Sequence, residues 1–397
     1  MNIQQVIGRD RALFVDDVAS HERDISSAIS GARVLVFGGA GSIGKEVTAQ
    51  IFRRNPNALH VIDLSENSLV ELVRDLRSSL GYGAGETRFM PIDMGAVETE
   101  AFLASQKPYD YVLNLAAMKH VRSEKDEFSL MRMIKVNILD TLKTLRYAQQ
   151  VGARKYFAVS TDKAKNPANL MGATKRIMED VLFRDNDGTP VSTARFANVA
   201  FSDGSLLHGF RQRLLHGQPI AAPRDVRRYF VTGVESGLLC LVAATLGKSR
   251  EIFFPNLDAN TQLRTFSDIA ISFLESEGYE PVEMASEQEA RDRAGELIRQ
   301  RKWPCYFFNS DTSGEKPFEE FYSQDDAVDW QRFSDIGVIS ASVPNAAEQA
   351  RLEDFLQAVN GFRKNGHWSK ADLVGRIRDC CADLVHVDVG RFLDDKM

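Results

Sequence analysis

The sequence predicts an α/β fold built on a doubly wound parallel sheet, and three observations carry that expectation. Short runs of Val, Ile and Leu alternate with longer amphipathic stretches, the runs show almost no polar alternation, and a glycine-rich turn joins the first run to a helical pattern. The runs are Val34 to Phe37, Val61 to Leu64, Phe89 to Ile92, Tyr111 to Leu115 and Tyr156 to Val159. Strands without a polar face must be covered on both sides, which helices flanking a parallel sheet provide.

Taken in chain order, residues 1–30 read as an N-terminal extension, polar except for Leu13, Phe14 and Val15, a patch expected to pack on the body. Residues 31–202 read as a dinucleotide-binding domain of Rossmann type. Past Ser202 the texture changes to Gly, Pro and Arg in short mixed elements, such as Gly217 to Pro223 and Arg227 to Phe230. The stretch 203–343 therefore reads as a smaller mixed α/β substrate-binding region, some of whose elements return to the first domain. From 344 to 397 a helical C-terminal appendage is expected, with Leu352, Phe355, Leu356 and Val359 on one face.

Composition narrows the function classes. The 397 residues carry a formal charge of −6, with Lys and Arg interleaved among Asp and Glu, so the basic stripe of a nucleic-acid binder is missing. No apolar run approaches the roughly 20 residues of a membrane span, so membrane insertion is not expected. Arg9 and Asp10 stand where a secretory leader needs an unbroken apolar stretch, so a cytoplasmic location is expected. Cys240, Cys305, Cys380 and Cys381 show no CxxC spacing, and no H-x-x-x-H pair occurs; a metal site is not expected, and the cysteines read as reduced packing residues.

The segment Gly38-Gly39-Ala40-Gly41-Ser42-Ile43-Gly44 follows the first strand and opens onto an amphipathic pattern, Val47 to Phe52. Gly38 and Gly41 permit a tight turn and the approach of a pyrophosphate, and Gly44 lets the helix lie close to the strand with its N-terminus aimed at the anion. Ser42 and Ile43 belong to the same cradle. Asp63 closes the next strand near the roughly 20-residue offset at which a carboxylate takes the adenosine ribose hydroxyls. That carboxylate would repel a 2′-phosphate, and Leu64-Ser65-Glu66 offers no arginine, so NAD is expected rather than NADP. Asp93, after the third strand, is assigned to the adenine, and Ala116 and Ala117, after the fourth, to the cofactor groove.

Two further segments end strands: Asn114 to His120 and Ser160 to Lys163. Ligands bind at such carboxyl ends in open α/β sheets. The stretch STDKAKNPANLMGATKR, Ser160 to Arg176, resembles the extended short-chain dehydrogenase/reductases, and more narrowly the bacterial UDP-N-acetylglucosamine 4,6-dehydratases of the polysaccharide biosynthesis group. Lys119-His120-Val121, Arg195 to Val199, Gly217 to Ile220, Arg228 to Phe230 and Gly314-Glu315-Lys316 extend the likeness over Arg33 to about Glu320. Two departures accompany it. Met171 stands where most such enzymes have the tyrosine of Tyr-x-x-x-Lys, although Lys175 is in place, and Arg122 to Asn137 is two residues longer than the family pattern. The configuration-retaining 4,6-dehydratases carry the same methionine beside the same Thr-Asp-Lys, so the resemblance implies an active enzyme.

The reaction implied is an internal redox cycle on a nucleotide sugar. Hydride leaves C4 for NAD, the ketone acidifies the C5 proton, water leaves from C6, and hydride returns to C6. Thr161, relayed through Lys175 and the nicotinamide ribose, is assigned to O4, Asp162 to the acid at O6, and Lys163 to the base at C5. Burial favours the neutral form of both a carboxyl and an amine, which those two roles require. Lys119 and His120 are assigned to the sugar, and Asn198, Arg228 and Lys316 to the substrate diphosphate or ribose, where planar arginine grips phosphate. A C4 epimerase shares the cradle but in general keeps the tyrosine and lacks Asp-Lys; a non-catalytic NAD-binding sensor has only Met171 in its favour. A homodimer or larger homo-oligomer, paired through helices beside the sheet, is also implied.

Overall fold

The computed structural model describes residues 1–184, 188–311, 316 and 318–385. The apolar runs become β1 Arg33–Phe37, β2 Ala58–Asp63, β3 Glu86–Pro91, β4 Tyr111–Asn114 and β5 Lys155–Thr161, followed by β6 Val191–Phe196. Short strands follow: β7 Asn198–Val199, β8 Ile220–Pro223, β9 Arg227–Arg228 and β10 Phe230–Val231. Then come β11 Glu251–Pro255, β12 Arg264–Thr265, β13 Glu280–Glu283, β14 Lys302–Phe308, β15 Val328–Asp329 and β16 Ile336–Ser340.

Nine strands form one sheet in the order β15-β16-β11-β6-β5-β4-β1-β2-β3. The seven from β11 to β3 are parallel, and β16 and β15 finish the edge antiparallel. Winding reverses between β1 and β4, which makes the crevice beyond their carboxyl ends the ligand site expected of such a sheet. β2 starts three residues before its apolar run because His60 is buried with partners. Its Nδ1 lies 2.5 Å from the Tyr109 hydroxyl and its Nε2 3.4 Å from Glu86, and burial pushes the imidazole down to about 4. A neutral, paired histidine can sit inside a strand that the hydropathy pattern alone does not reveal.

Residues beyond Ser202 divide between two cores. Helix Gly233–Leu246 and strands β11, β15 and β16 join the large sheet, with Leu239, Val242, Phe253 and Val338 in its main core. A second core gathers Phe201, Phe210, Ile220, Phe230, Phe273 and Trp303 around the parallel trio β13-β14-β8. Val6 and Ile7 of the N-terminal extension enter this second core.

The rest of the extension is fastened to the first. Leu13 and Phe14 are buried whereas Val15 is exposed, because Phe14 takes a left-handed turn before helix Val15–Ile29. Asp335 receives Arg11 at 2.8 and 2.6 Å and the Phe14 amide at 3.0 Å, while Asp17 accepts the Ser334 and Asp335 amides at 2.7 and 2.8 Å. Glu235, which caps helix Gly233–Leu246, also pairs with buried Arg9.

At the other end, helices Ala346–Asn365 and Lys370–Cys380 pack against helix Leu170–Phe183. Leu352, Phe355, Leu356 and Val359 form the buried face of the longer one. Twelve of the fourteen residues of Leu170–Phe183 are buried, so a partner copy docking on this helix would have to displace the appendage. Residues 386–397 of the expected appendage lie outside the described residues. Cys240, Cys305, Cys380 and Cys381 are free thiols.

Because the Phe14 ring is fully buried, Phe14→Ala is expected to cost about 3 kcal/mol or more through lost burial and the cavity left behind. Denaturant unfolding followed by tryptophan fluorescence checks this; a loss below about 1 kcal/mol would show that the extension is not part of the core.

Candidate active site

The glycine turn closes the carboxyl end of β1. Gly38 has a φ of +71°, and a Cβ there would stand 2.4 Å from the Ala116 nitrogen, so the turn lies directly on the backbone that leaves β4. A Cβ on Gly44 would meet the Gly38 oxygen at 2.0 Å, which is how helix Gly44–Phe52 comes to start so close to the strand. Gly41 differs: a Cβ there would meet nothing nearer than 3.7 Å. The protein's own packing therefore explains two of the three glycines and leaves Gly41 facing open space. Ile43 precedes the helix without any side-chain cap; the Lys45 amide of the first turn goes to the Gly41 carbonyl at 2.9 Å, and an anion beyond the turn would meet the helix's positive end.

Around this turn the other expected cofactor residues are found at the strand ends. Asp63 terminates β2 and accepts the Ala40 amide at 2.9 Å and the Ser65 amide at 3.0 Å, tying the turn to the neighbouring strand. Asp93 accepts the Gly95 amide at 2.7 Å and stands 3.6 Å from Lys135. Ala116 and Ala117 are half-buried in the loop after β4, and Asn137 holds that loop by receiving the Met118 amide at 2.9 Å and donating to the Met118 carbonyl at 3.1 Å. Asn137 sits in a π-helical turn, Lys135–Leu139, within the longer segment noted in the sequence. The Ser42 hydroxyl donates to Asp203 at 2.9 Å and receives the Asp203 amide at 2.9 Å. His120 lies against Gly204 in that same loop, and Lys119 is exposed.

Thr161 is the last residue of β5, and Asp162 opens a 3-10 turn, Asp162–Ala164. The Thr161 hydroxyl receives the Lys163 amide at 3.4 Å and donates to Asp162 Oδ1 at 2.9 Å; Lys163 Nζ donates to the same oxygen at 3.0 Å and to Asn198 Oδ1 at 3.4 Å. With side-chain exposures of 3% and 18%, Asp162 and Lys163 form a largely buried ion pair. The sequence suggested neutral forms for these roles; the structure sets the two groups face to face. A Cβ on Gly172 would stand 2.3 Å from the Lys163 carbonyl, so the start of helix Leu170–Phe183 locks the turn from behind.

Met171 occupies the first turn of that helix, buried, with its amide donating to Glu124 at 2.7 Å. Lys175 lies one turn on. Its Nζ donates to the Val159 carbonyl at 3.0 Å rather than to Thr161, and burial, opposed by Glu179, pushes the ammonium down to about 8.

Behind the strand end lies a brace that sequence reading did not single out. Ser160 donates to Glu179 at 2.7 Å, and Arg195 grips the same carboxylate in bidentate fashion at 3.0 and 2.7 Å while giving a further bond to the Phe321 carbonyl at 2.7 Å. Burial would raise the Glu179 carboxyl, but Arg195 outweighs it and the group lies below its usual range.

Held in register by that brace, Glu319 faces the Asp162–Lys163 pair. Its carboxylate is 4.0 Å from Lys163 Nζ, 3.9 Å from Arg228 Nη2 and 3.8 Å from Lys316 Nζ. Arg228 is buried and donates to the Lys316 carbonyl at 2.9 Å; Lys316 Nζ donates to the Lys165 carbonyl at 3.3 Å. Thr161, Asp162, Lys163, Asn198, Arg228 and Lys316 are thus gathered into one cluster. Gly314 and Glu315 lie outside the described residues. Glu319 escaped notice because Glu319-Glu320 reads as a solvated acidic pair; only the flanking Phe318 and Phe321 hint at contact with the body. Among the described residues no cluster of His, Cys, Asp and Glu could hold a metal ion, and no helix is long and apolar enough to cross a membrane.

Several known proteins are similar to this chain. An uncharacterized membrane protein of Methanocaldococcus jannaschii, MJ1061, is 28% identical over 80% of this chain and 88% of its own. The capsular polysaccharide biosynthesis protein CapD of Staphylococcus aureus is 32% identical over 64% of this chain, which spans only 41% of CapD. An inverting UDP-N-acetylglucosamine 4,6-dehydratase of Campylobacter jejuni is 29% identical over 57% of this chain and 68% of its own. Among solved structures, Pen from Bacillus thuringiensis superposes with a TM-score of 0.63 at 21% identity, covering 80% of this chain and 89% of that one. DesIV of Streptomyces venezuelae, a dTDP-glucose 4,6-dehydratase with NAD and TYD bound, gives 0.56 at 17%, covering 84% and 97%. At such identities these two show the shared fold. The family profile described as polysaccharide biosynthesis protein matches residues 34–341, the glycine turn and the whole charged cluster included, and the chain belongs to that family.

Proposed function

We propose that this protein is an NAD-dependent UDP-N-acetylglucosamine 4,6-dehydratase. The observation that carries the reading is the buried Thr161-Asp162-Lys163 cluster at the carboxyl end of β5, set beside Arg228 and Lys316. That cluster brings the cations Lys163, Arg228 and Lys316 together with the carboxylates Asp162 and Glu319. Arg228 and Lys316, a guanidinium and an ammonium beside the strand-end motif, are the side-chain types that hold a nucleotide diphosphate.

The residues present fit NAD. Gly41 has room that the protein does not fill, the helix behind it starts uncapped, and Asp63 at the end of β2 offers a carboxylate to ribose hydroxyls while disfavouring a 2′-phosphate. When bound, NAD supplies a hydride acceptor that gives the hydride back and is regenerated.

The chain's own groups do the rest. Thr161, fixed by its bond to Asp162, handles the O4 proton; passage of the shared proton from Lys163 Nζ to Asp162 Oδ1 leaves an amine that takes the proton from C5 and an acid that delivers one to the departing O6 hydroxyl. One proton leaves the sugar carbon and one reaches the leaving oxygen, so elimination of water balances; return of the hydride to C6 then leaves an enolate that takes a proton at C5 from the Lys163 ammonium, whose protons exchange with solvent. Burial keeps solvent from competing for either.

Three outcomes test this reading. Incubation with UDP-N-acetylglucosamine in deuterated water is expected to yield a 4-keto-6-deoxy product carrying deuterium at C5; epimerised sugar with no loss of water, or no product, would contradict it. Asp162→Asn and Lys163→Met are each expected to lower kcat by about 100-fold or more with NAD retained, and full turnover in both would remove them from the mechanism. Gly41→Ala is expected to fold normally, since its Cβ meets no protein atom closer than 3.7 Å, yet to be purified with far less NAD. Undiminished NAD content would place the cofactor elsewhere.

A further inference from the structure

We infer that Glu319 is a positioning residue that couples the binding of a diphosphate at Arg228 and Lys316 to the placement of Lys163. The inference rests on the dehydratase reading above and adds to it a residue outside the strand-end motif.

Glu319 has a side-chain exposure of 3%, and its three cationic neighbours stand at 3.8 to 4.0 Å, each beyond hydrogen-bond distance. Its Oε2 is buried without any hydrogen-bond partner. A finished structural ion pair would close those gaps, because an under-bonded buried carboxylate is costly. Asp162, by contrast, holds Lys163 at 3.0 Å. Glu319 is therefore one carboxylate divided among three cations, none of which it fully engages.

A diphosphate settling on Arg228 and Lys316 changes that division. Both cations turn to the phosphates, and Lys163 is left as the counter-ion of Glu319. Lys163 Nζ is then drawn towards Glu319, to which it donates one N–H; once another of its protons has passed to Asp162 Oδ1, the amine so held keeps its lone pair for C5. Arg195 makes this placement rigid: it holds the Phe321 carbonyl, two residues along from Glu319, and through Glu179 it holds Ser160, two residues before Asp162. The groups facing the carboxylate are Lys163 and Asp162 after β5, Arg228 on β9, and Lys316 on its own segment. Burial raises the Glu319 carboxyl above its usual range, with Asp162 adding to the rise and Lys163, Arg228 and Lys316 opposing it. Loss of two of those cations to phosphate raises it further, so the hold on Lys163 is present above that pKa and lost as pH falls through it.

The test compares the full chain with Glu319→Gln and Glu319→Asp, measuring UDP affinity by calorimetry and kcat and KM for UDP-N-acetylglucosamine across pH. For Glu319→Gln the expectation is tighter UDP binding, a kcat lower by about 30-fold or more, an unraised KM and loss of the acid limb of the kcat profile. Glu319→Asp, which keeps the charge, is expected to restore part of kcat and the acid limb. A Glu319→Gln kcat within about threefold of wild type, or UDP binding that is weaker or unchanged, overturns the inference. If Glu319→Gln does not fold, Glu319→Asp decides: reduced kcat with UDP binding maintained supports the coupling, and wild-type kinetics overturn it. If the wild type produces no keto sugar, the dehydratase reading fails by itself. The calorimetry still judges Glu319, with tighter UDP binding in Glu319→Gln for the coupling, and equal, weaker or undetectable binding against it.

Discussion

The bidentate grip of Arg195 on Glu179 is the interaction on which the rest of the site depends. Both side chains are almost completely buried, and neither would be tolerated there alone, since an unpaired charge in that setting costs several kcal/mol. Together they join four pieces of chain: Ser160 near the end of β5, Glu179 in helix Leu170–Phe183, Arg195 near the end of β6 and the 319–321 segment. Without this junction, Thr161, Asp162 and Lys163 would still follow a strand, but nothing would hold Glu319, and with it the Arg228–Lys316 side, in register with them.

Two kinds of constraint shape the site. On the cofactor side the constraint is steric. Gly38 and Gly44 are demanded by backbone atoms of Ala116 and Gly38, and Gly41 opens the space between. On the substrate side it is electrostatic, with charges of both signs held where water reaches them poorly. A buried ion pair adds little to stability, so its presence at a strand end beside two more cations points to chemistry more than to folding. The same reasoning separates Lys155, whose ammonium burial pushes down to about 7 at the opposite end of β5, where it donates to the Gly247 carbonyl.

Much of the fold was legible in the sequence because each signal was local. Period-free apolar runs marked β1 to β5, the glycine spacing marked the turn, and Leu352, Phe355, Leu356 and Val359 marked one helix face. What escaped depended on pairing across the chain. His60 looked like a break in a strand and is an interior residue bonded to the Tyr109 hydroxyl, with Glu86 3.4 Å from its other nitrogen. The antiparallel edge made by β15 and β16 comes from a stretch whose composition suggested only mixed short elements. In the site, Thr161, Asp162, Lys163 and Arg228 were legible through motif and residue chemistry, whereas Glu319 was not. It meets Lys163 and Arg228 from two distant segments as well as Lys316 three residues before it, and no local pattern encodes the first two meetings.

The most direct test of the account is a crystal structure with NAD and UDP-N-acetylglucosamine bound to a slow variant such as Asp162→Asn. The diphosphate is expected on Arg228 and Lys316, the pyrophosphate of NAD over Gly41, and the hexose between the nicotinamide and Lys163, with Nζ directed at C5. A hexose lying away from Lys163, or phosphates held by other residues while Arg228 and Lys316 keep their present partners, would contradict it.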